Sequence, residues 1–175
     1  CRTAFSFHEG TSLPEDIVAQ AAELGLSSLA ITDRDGVYGI PRAHRAAQQY
    51  GIHIIPGALL TIEGGPGVAL LAQDMGGWSQ LCRLITEARK ATPKGWGQIP
   101  FTSLIKRSGG LEAILIGPWS VERAHQVREA FGERVSLALT RRLDGHDVQR
   151  WDQRSLLSAH TQIPLVATGD VLMHT

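Results

Sequence analysis

Residues 28–36 read SLAITDRDG, a short apolar run that stops at two carboxylates, an arginine and a glycine. Ser28-Leu29-Ala30-Ile31-Thr32 has the length and composition of a buried β-strand, and Asp33-Arg34-Asp35-Gly36 has the turn chemistry that ends one. A helical pattern stands on either side. Upstream, Leu13 to Gly25 (LPEDIVAQAAELG) has Ser12 as its candidate N-cap and Pro14 and Glu15 in its first turn; Ile17, Ala21 and Leu24 share one face, and Gly25 stops it. Downstream, a helix over Ile40 to Tyr50 ends at Gly51.

The same alternation continues along the chain. A strand around His53 to Ile55 is expected to break at Pro56. Leu59 to Ile62 and Val68 to Ala72 flank the Gly/Pro-rich tip at 63–67, which suits a hairpin. A helix from Trp78 to Ala91 buries Leu81, Leu84, Ile85 and Ala88, and Thr92 to Pro100 is the one long loop. A short helix (Thr102 to Arg107), a strand (Ala113 to Ile116), a helix (Val121 to Phe131), a strand (Val135 to Leu139), a helix (Val148 to His160) and a strand (Leu165 to Ala167) complete the chain. Such alternation predicts an α/β fold of parallel strands covered by helices. Six or seven units exceed a small open sheet and fall short of an eight-fold barrel. No repeat, low-complexity tract or linker divides the chain, so one domain over residues 1–175 is expected.

Composition narrows the function classes. The 175 residues carry no formal net charge and are 43% hydrophobic and 19% charged, outside the range of disordered chains. Balanced charge removes the overall field behind non-specific nucleic-acid binding, while leaving room for a local basic patch. No apolar run reaches the length of about 18 residues that spans a bilayer. Two cysteines, Cys1 and Cys82, make neither a disulfide framework nor a zinc site, and a reduced, cytoplasmic setting is expected. The start at Cys1 predicts that the chain is part of something longer.

Four groups of residues bear on chemistry. Asp33 and Asp35 follow an apolar strand, where α/β proteins place active sites. Asp-x-Asp-Gly there matches the opening of aspartate-nucleophile phosphatases, in which the first Asp attacks phosphorus and both help hold Mg²⁺; a plain turn needs the same residues. Asp170, in Ala167-Thr168-Gly169-Asp170, is a second acid just past a strand. The seven histidines, at 8, 44, 53, 125, 146, 160 and 174, form no His-x-His or HExxH pair and read mostly as surface residues. Arg83, Arg89, Lys90, Lys94, Lys106 and Arg107, with Trp96 among them, read as a solvated helix face; basic and aromatic residues together also suit weak nucleic-acid contact across the Arg83–Arg107 region. GxGxxG, GxxxxGK(S/T) and GxSxG are absent.

Taken in order, the segments resemble the PHP (polymerase and histidinol phosphatase) domain, above all the version in bacterial DNA polymerase III alpha subunits of the error-prone type. The stretches that carry the resemblance are Phe5-Ser6-Phe7 with Glu9-Gly10, PEDIVAQAAELGLSSL (14–29), ITDRDGVYG (31–39), GIHIIPGALLTI (51–62), ALLAQDMGGWSQLCRLITEARKATPKG (69–95) and PLVATGDV (164–171). The resemblance implies a distorted (β/α)7 TIM-like barrel. It also implies a site in which His, Asp, Glu and sometimes Cys hold two or three metal ions that hydrolyse phosphoesters.

Carried over position by position, that site is mostly gone from this chain. The second His of the opening His-x-His falls on Arg2, and the acid that follows falls on Glu9. Thr-Asp-His-Asp becomes Thr32-Asp33-Arg34-Asp35. The Glu after the third strand falls on Leu59, the hairpin His on Gly67, and the later Cys or His on Pro118. The closing Asn-Asp-x-His keeps Asp170 and has Leu172 in place of its His. Guanidinium groups stay protonated and repel cations. Arg2 and Arg34 are therefore expected to pair with Glu9, Asp33 or Asp170 where ions would sit.

The resemblance thus implies a catalytically silent domain with no metal and no catalytic residue. Its role in DNA replication or repair would be structural, and its partners other domains or subunits of a DNA polymerase. Two enzymatic alternatives stand beside it. One is a metal-dependent phosphoesterase keeping a reduced site with zinc, manganese or magnesium. The other is an Asp33-nucleophile phosphatase aided by Asp35 and Asp170, although no lysine stands at a strand end to meet phosphate.

Overall fold

The computed structural model describes residues 1–91 and 97–174. Part of the loop expected over Thr92 to Pro100, with Lys94 and Trp96, lies outside the described residues. The elements run α1 (Pro14–Glu23), β1 (Ser28–Ile31), α2 (Ile40–Tyr50), β2 (His53–Thr61), β3 (Gly67–Ala72), α3 (Met75–Ala91), α4 (Phe101–Lys106), β4 (Leu111–Leu115), α5 (Val121–Phe131), β5 (Val135–Thr140), α6 (Asp147–Thr161) and β6 (Leu165–Thr168). The six strands form one curled sheet in chain order. β1–β2, β4–β5 and β5–β6 pair parallel, whereas β3 runs antiparallel to both neighbours.

The α/β fold is present as a curled six-stranded half-barrel, and the expectation of parallel strands throughout is corrected at β3. Ile62 to Pro66 is too short a connection to carry a crossover helix, so β3 must return antiparallel to β2. β1 and β6 form the two ends of the sheet and are not paired with each other. At one rim the first residues connect these ends. The Cys1 backbone nitrogen donates to the Ala30 carbonyl (2.8 Å), Thr32 N to the Cys1 carbonyl (2.8 Å), and Arg2 N to the Val171 carbonyl (3.0 Å).

Alternation along each strand separates two faces. The convex face buries Leu60, Val68, Leu70, Leu111, Leu115 and Leu137 against α3 (Leu81, Leu84, Ala88), α5 (Val127, Phe131) and α6 (Leu157). At the β1 end, Leu29, Ile31 and Ile54 pack on Ile17, Val18 and Ala21 of α1 and on Ala43, Ala46 and Ala47 of α2. Each large apolar side chain so buried contributes about 1.5–3 kcal/mol. The concave face is left free for the site.

Two local expectations change. Ser12 does not cap α1: Leu13 occupies the N-cap position without a side-chain bond, and the Ser12 hydroxyl instead accepts from His174 N (2.9 Å) and meets its Nδ1 (2.7 Å). Pro14 at the first helical position lacks an N–H, which lowers the need for a cap. β2 also runs unbroken through Pro56. The His53 and Leu59 amides both point toward the β1 side, so the missing Pro56 N–H faces the other edge, where the β3 ladder begins only at Gly57. No helix among the described residues is long and apolar enough to cross a membrane.

Candidate functional site

The loop after β1 places its two carboxylates apart. Asp33, 1% exposed, accepts from Thr3 N (2.6 Å), Thr3 Oγ1 (2.9 Å) and Ser6 Oγ (2.8 Å). Ser6 Oγ in turn accepts from Arg34 N (3.0 Å), so residues 3–6 are pinned onto the strand end. Asp35 turns the other way, toward the hairpin, and accepts from Thr61 N (3.0 Å) and Thr61 Oγ1 (3.4 Å). Its φ of 49° breaks the alternation of the strand. Burial pushes the Asp35 carboxyl above its ordinary range, opposed by the Thr61 amide and by Arg34 and Arg89. The phosphatase-like pair is therefore not a pair in space.

Arg2, Glu9, Arg34 and Asp170 converge on the rim instead. The Arg2 side chain, 11% exposed, donates Nη1 to Glu9 Oε2 and Nη2 to Asp170 Oδ1 (2.5 Å). Arg34 donates Nε to Glu9 Oε1 (2.5 Å) and Nη1 to Thr61 Oγ1 (3.4 Å). Arg142, from the β5–α6 connection, reaches the other Asp170 oxygen (3.4 Å). Burial alone would raise the Glu9 carboxyl, but the guanidiniums of Arg34 and Arg2 override it and hold it below its ordinary value. The order is Arg34–Glu9–Arg2–Asp170–Arg142, cation and anion alternating.

The other positions singled out through the resemblance, Leu59, Gly67, Pro118 and Leu172, supply no donor to this chain of charges. Leu59 is buried in β2, exchanging backbone bonds with the loop (Leu59 N to Asp33 O, 3.0 Å; Asp35 N to Leu59 O, 2.9 Å). Gly67 pairs with Thr61 and lies diagonal to Leu59: a Cβ there would stand 3.2 Å from Leu59 Cδ1, so the leucine fills the space that the glycine leaves. Leu172 contributes its carbonyl, which accepts from Thr11 N (3.1 Å). Pro118 is exposed and lines a separate groove with Trp119 and Arg154.

Arg2 and Asp170 also line a cavity of about 200 Å³ on the concave face, together with Thr32, Ala69, Leu71 and Ile114. Its walls are threonine hydroxyls and aliphatic groups. Among the described residues, no three of His, Cys, Asp and Glu converge in a way that could hold a metal ion.

Sequence reasoning missed Thr3, Ser6, Thr61 and Arg142. None sits in a spacing that signals its role, since each acts through a partner distant in the chain. Of the basic segment, Arg83, Arg89, Lys90 and Lys106 are exposed, and Arg107 pairs with Glu87 (3.6 Å).

Comparison with known proteins agrees with this architecture. The PHP domain model matches residues 1–134. The chain is 38% identical over 175 residues to the error-prone DNA polymerase of Pseudomonas aeruginosa, covering 99% of this chain and 17% of that protein. It is 38% identical over 191 residues to the error-prone DNA polymerase of Anaeromyxobacter dehalogenans, covering 99% of this chain and 16% of that one. The chain thus spans about a sixth of the length of these curated relatives. Among solved structures, a candidate metal-dependent phosphoesterase from Bifidobacterium adolescentis superposes with a TM-score of 0.63 at 16% identity, over 100% of this chain and 86% of that one. At that identity the likeness concerns the fold alone. Matched by the PHP domain model over residues 1–134, this chain belongs to the PHP domain family.

Proposed function

We propose that this chain is a PHP domain of the error-prone DNA polymerase type whose hydrolytic site has been replaced by an ionic plug. It then holds no metal, catalyses no hydrolysis and serves a structural role in DNA replication or repair in the cytoplasm. Its partners are the other domains or subunits of a DNA polymerase. The domain extends past the family match, because β5 and β6 continue the same sheet beyond residue 134.

One observation carries the reading: Arg2 and Arg34, which the family resemblance sets at ligand positions, occupy the carboxylates that would otherwise meet a cation. Two fixed positive charges within bonding distance of Glu9 and Asp170 oppose a divalent ion by simple Coulomb repulsion. Leu59, Gly67 and Leu172 bring no donor atoms to the N- and O-rich site that metal hydrolysis needs. The Asp33-nucleophile alternative requires a free carboxylate, and Asp33 is buried under three hydrogen bonds. The test is an assay of phosphoester and DNA 3′-end hydrolysis with Mn²⁺, Zn²⁺ or Mg²⁺. No turnover above background is expected. Metal-dependent turnover abolished by Asp170→Ala or Asp33→Ala would overturn the proposal.

A further inference from the structure

Beside the rim network, large aromatic rings stand in solvent next to two arginines, Arg34, which pairs with Glu9, and Arg89. Phe7 is 79% exposed and Tyr38 is 57% exposed, far more than the roughly buried state that such rings favour. Both line one cavity of about 490 Å³, together with Arg34, Arg89 and Asp35. Neither ring is on a loose segment. Phe7 follows Ser6, whose hydroxyl is tied to Asp33 and to Arg34 N, and the turn is closed by Glu9 N and Gly10 N donating to the Ser6 carbonyl (3.0 Å each). Tyr38 lies against Gly36, where a Cβ would meet its ring at 2.6 Å, so glycine alone lets the ring sit there. Arg89 is held by a bond from Nη2 to the Asp35 carbonyl (2.8 Å).

Arg89 belongs to α3, whose outer face carries further cations. Arg83 and Lys90 line a second groove there with Glu87 and Arg107. Seven residues separate them on the helix, a rise of about 10 Å along one face. Arg107 is balanced by Glu87, but Arg83, Arg89 and Lys90 pair with no carboxylate among the described residues. Two preset π-faces leading into three exposed cations fit one chemistry: unstacked bases on the rings and phosphates on the cations.

We propose that the Phe7–Tyr38 cavity, with Arg89 at its wall and Arg83 and Lys90 on the outer face of α3, forms a binding site for single-stranded nucleic acid. Duplex fits poorly because its base faces are already stacked on one another. The cavity borders the rim network at Arg34, but stacking on the rings and phosphate contact on α3 leave the Arg34–Glu9 pair in place, so the site does not rest on whether the network is silent.

The experiment is fluorescence anisotropy of the 175-residue chain with a labelled oligothymidylate of about 12 nucleotides. Binding is expected to weaken roughly twentyfold between 50 and 200 mM salt if the three cations meet phosphates. Phe7→Ala and Tyr38→Ala should each weaken it by roughly tenfold, within the range for loss of one base-stacking platform. Their thermal melts should match the parent's because both rings are already in solvent. Arg89→Gln should weaken binding and flatten the salt dependence.

Four results would overturn the proposal. They are no binding at 50 mM salt with protein at about 100 μM, ring variants that bind like the parent, duplex of the same length competing equally, and an acidic peptide such as polyglutamate displacing the oligonucleotide equally well. The second would mean a purely electrostatic contact, and the last a site for an acidic protein segment.

Discussion

Replacing Arg2 by alanine should be the most damaging single change in the rim network. Its side chain is the least exposed member at 11%, and it alone joins two carboxylates. A hydrogen bond to a charged group contributes about 1.5–3 kcal/mol, and breaking a fully buried pair costs about 3–5 kcal/mol. Glu9 and Asp170 retain 26% and 27% exposure, and each keeps a second arginine, so both figures need discounting. About 2–3 kcal/mol is a reasonable net loss, which for a chain of this size lowers Tm by roughly 5–10 °C.

Arg34→Ala should cost less, roughly 2–4 °C, because that side chain is 37% exposed and joins only one acid. The effect carries a pH signature. The Glu9 carboxyl is held below its ordinary 4.5, so its contribution is complete above that value and disappears as pH falls through the lower folded value. The Arg2→Ala deficit should therefore shrink in acid. Differential scanning calorimetry from pH 7 to pH 3 reads both. An Arg2→Ala melt within about 1 °C of the parent at pH 7, or an Arg34→Ala melt below that of Arg2→Ala, would refute the network as an energetic unit.

Asp35 behaves in the opposite sense: burial raises its carboxyl, so the folded state binds the proton more tightly and ionisation costs stability above the raised value. Asp35→Asn should raise Tm by a few degrees at pH 7 and by less near pH 4. Gly77→Ala should destabilise severely, since a Cβ there would stand 1.8 Å from the Gly110 carbonyl oxygen; a melt unchanged from the parent would show that the two backbones do not approach so closely. Arg34→His restores one ligand type but leaves Leu59, Gly67 and Leu172 without donors, so calorimetric titration with zinc should show no tight binding and the melt should fall.

Local pattern made most of the fold legible. The helix over Val121 to Phe131 has the bounds expected from its apolar spacing, and Gly51, with φ of 70°, ends α2 where the sequence places its stop. Barrel closure was not legible, because alternation counts elements without saying how their edges meet. Asp33 and Asp35 illustrate a second limit. Residues two apart share a face only while the backbone stays extended, and the positive φ at Asp35 sends the two carboxylates to Thr3 and Thr61. Ser12 shows a third: its hydroxyl is engaged by His174, 162 residues away, a contact that no capping rule foresees.

Metal content is the most direct test of the ionic plug. The chain should be expressed with zinc, manganese and iron supplied, purified without chelator and analysed by plasma mass spectrometry. The account predicts well below one metal ion per chain, with Asp170→Ala and the parent indistinguishable. One or more ions per chain in the parent, lost in Asp170→Ala, would contradict it.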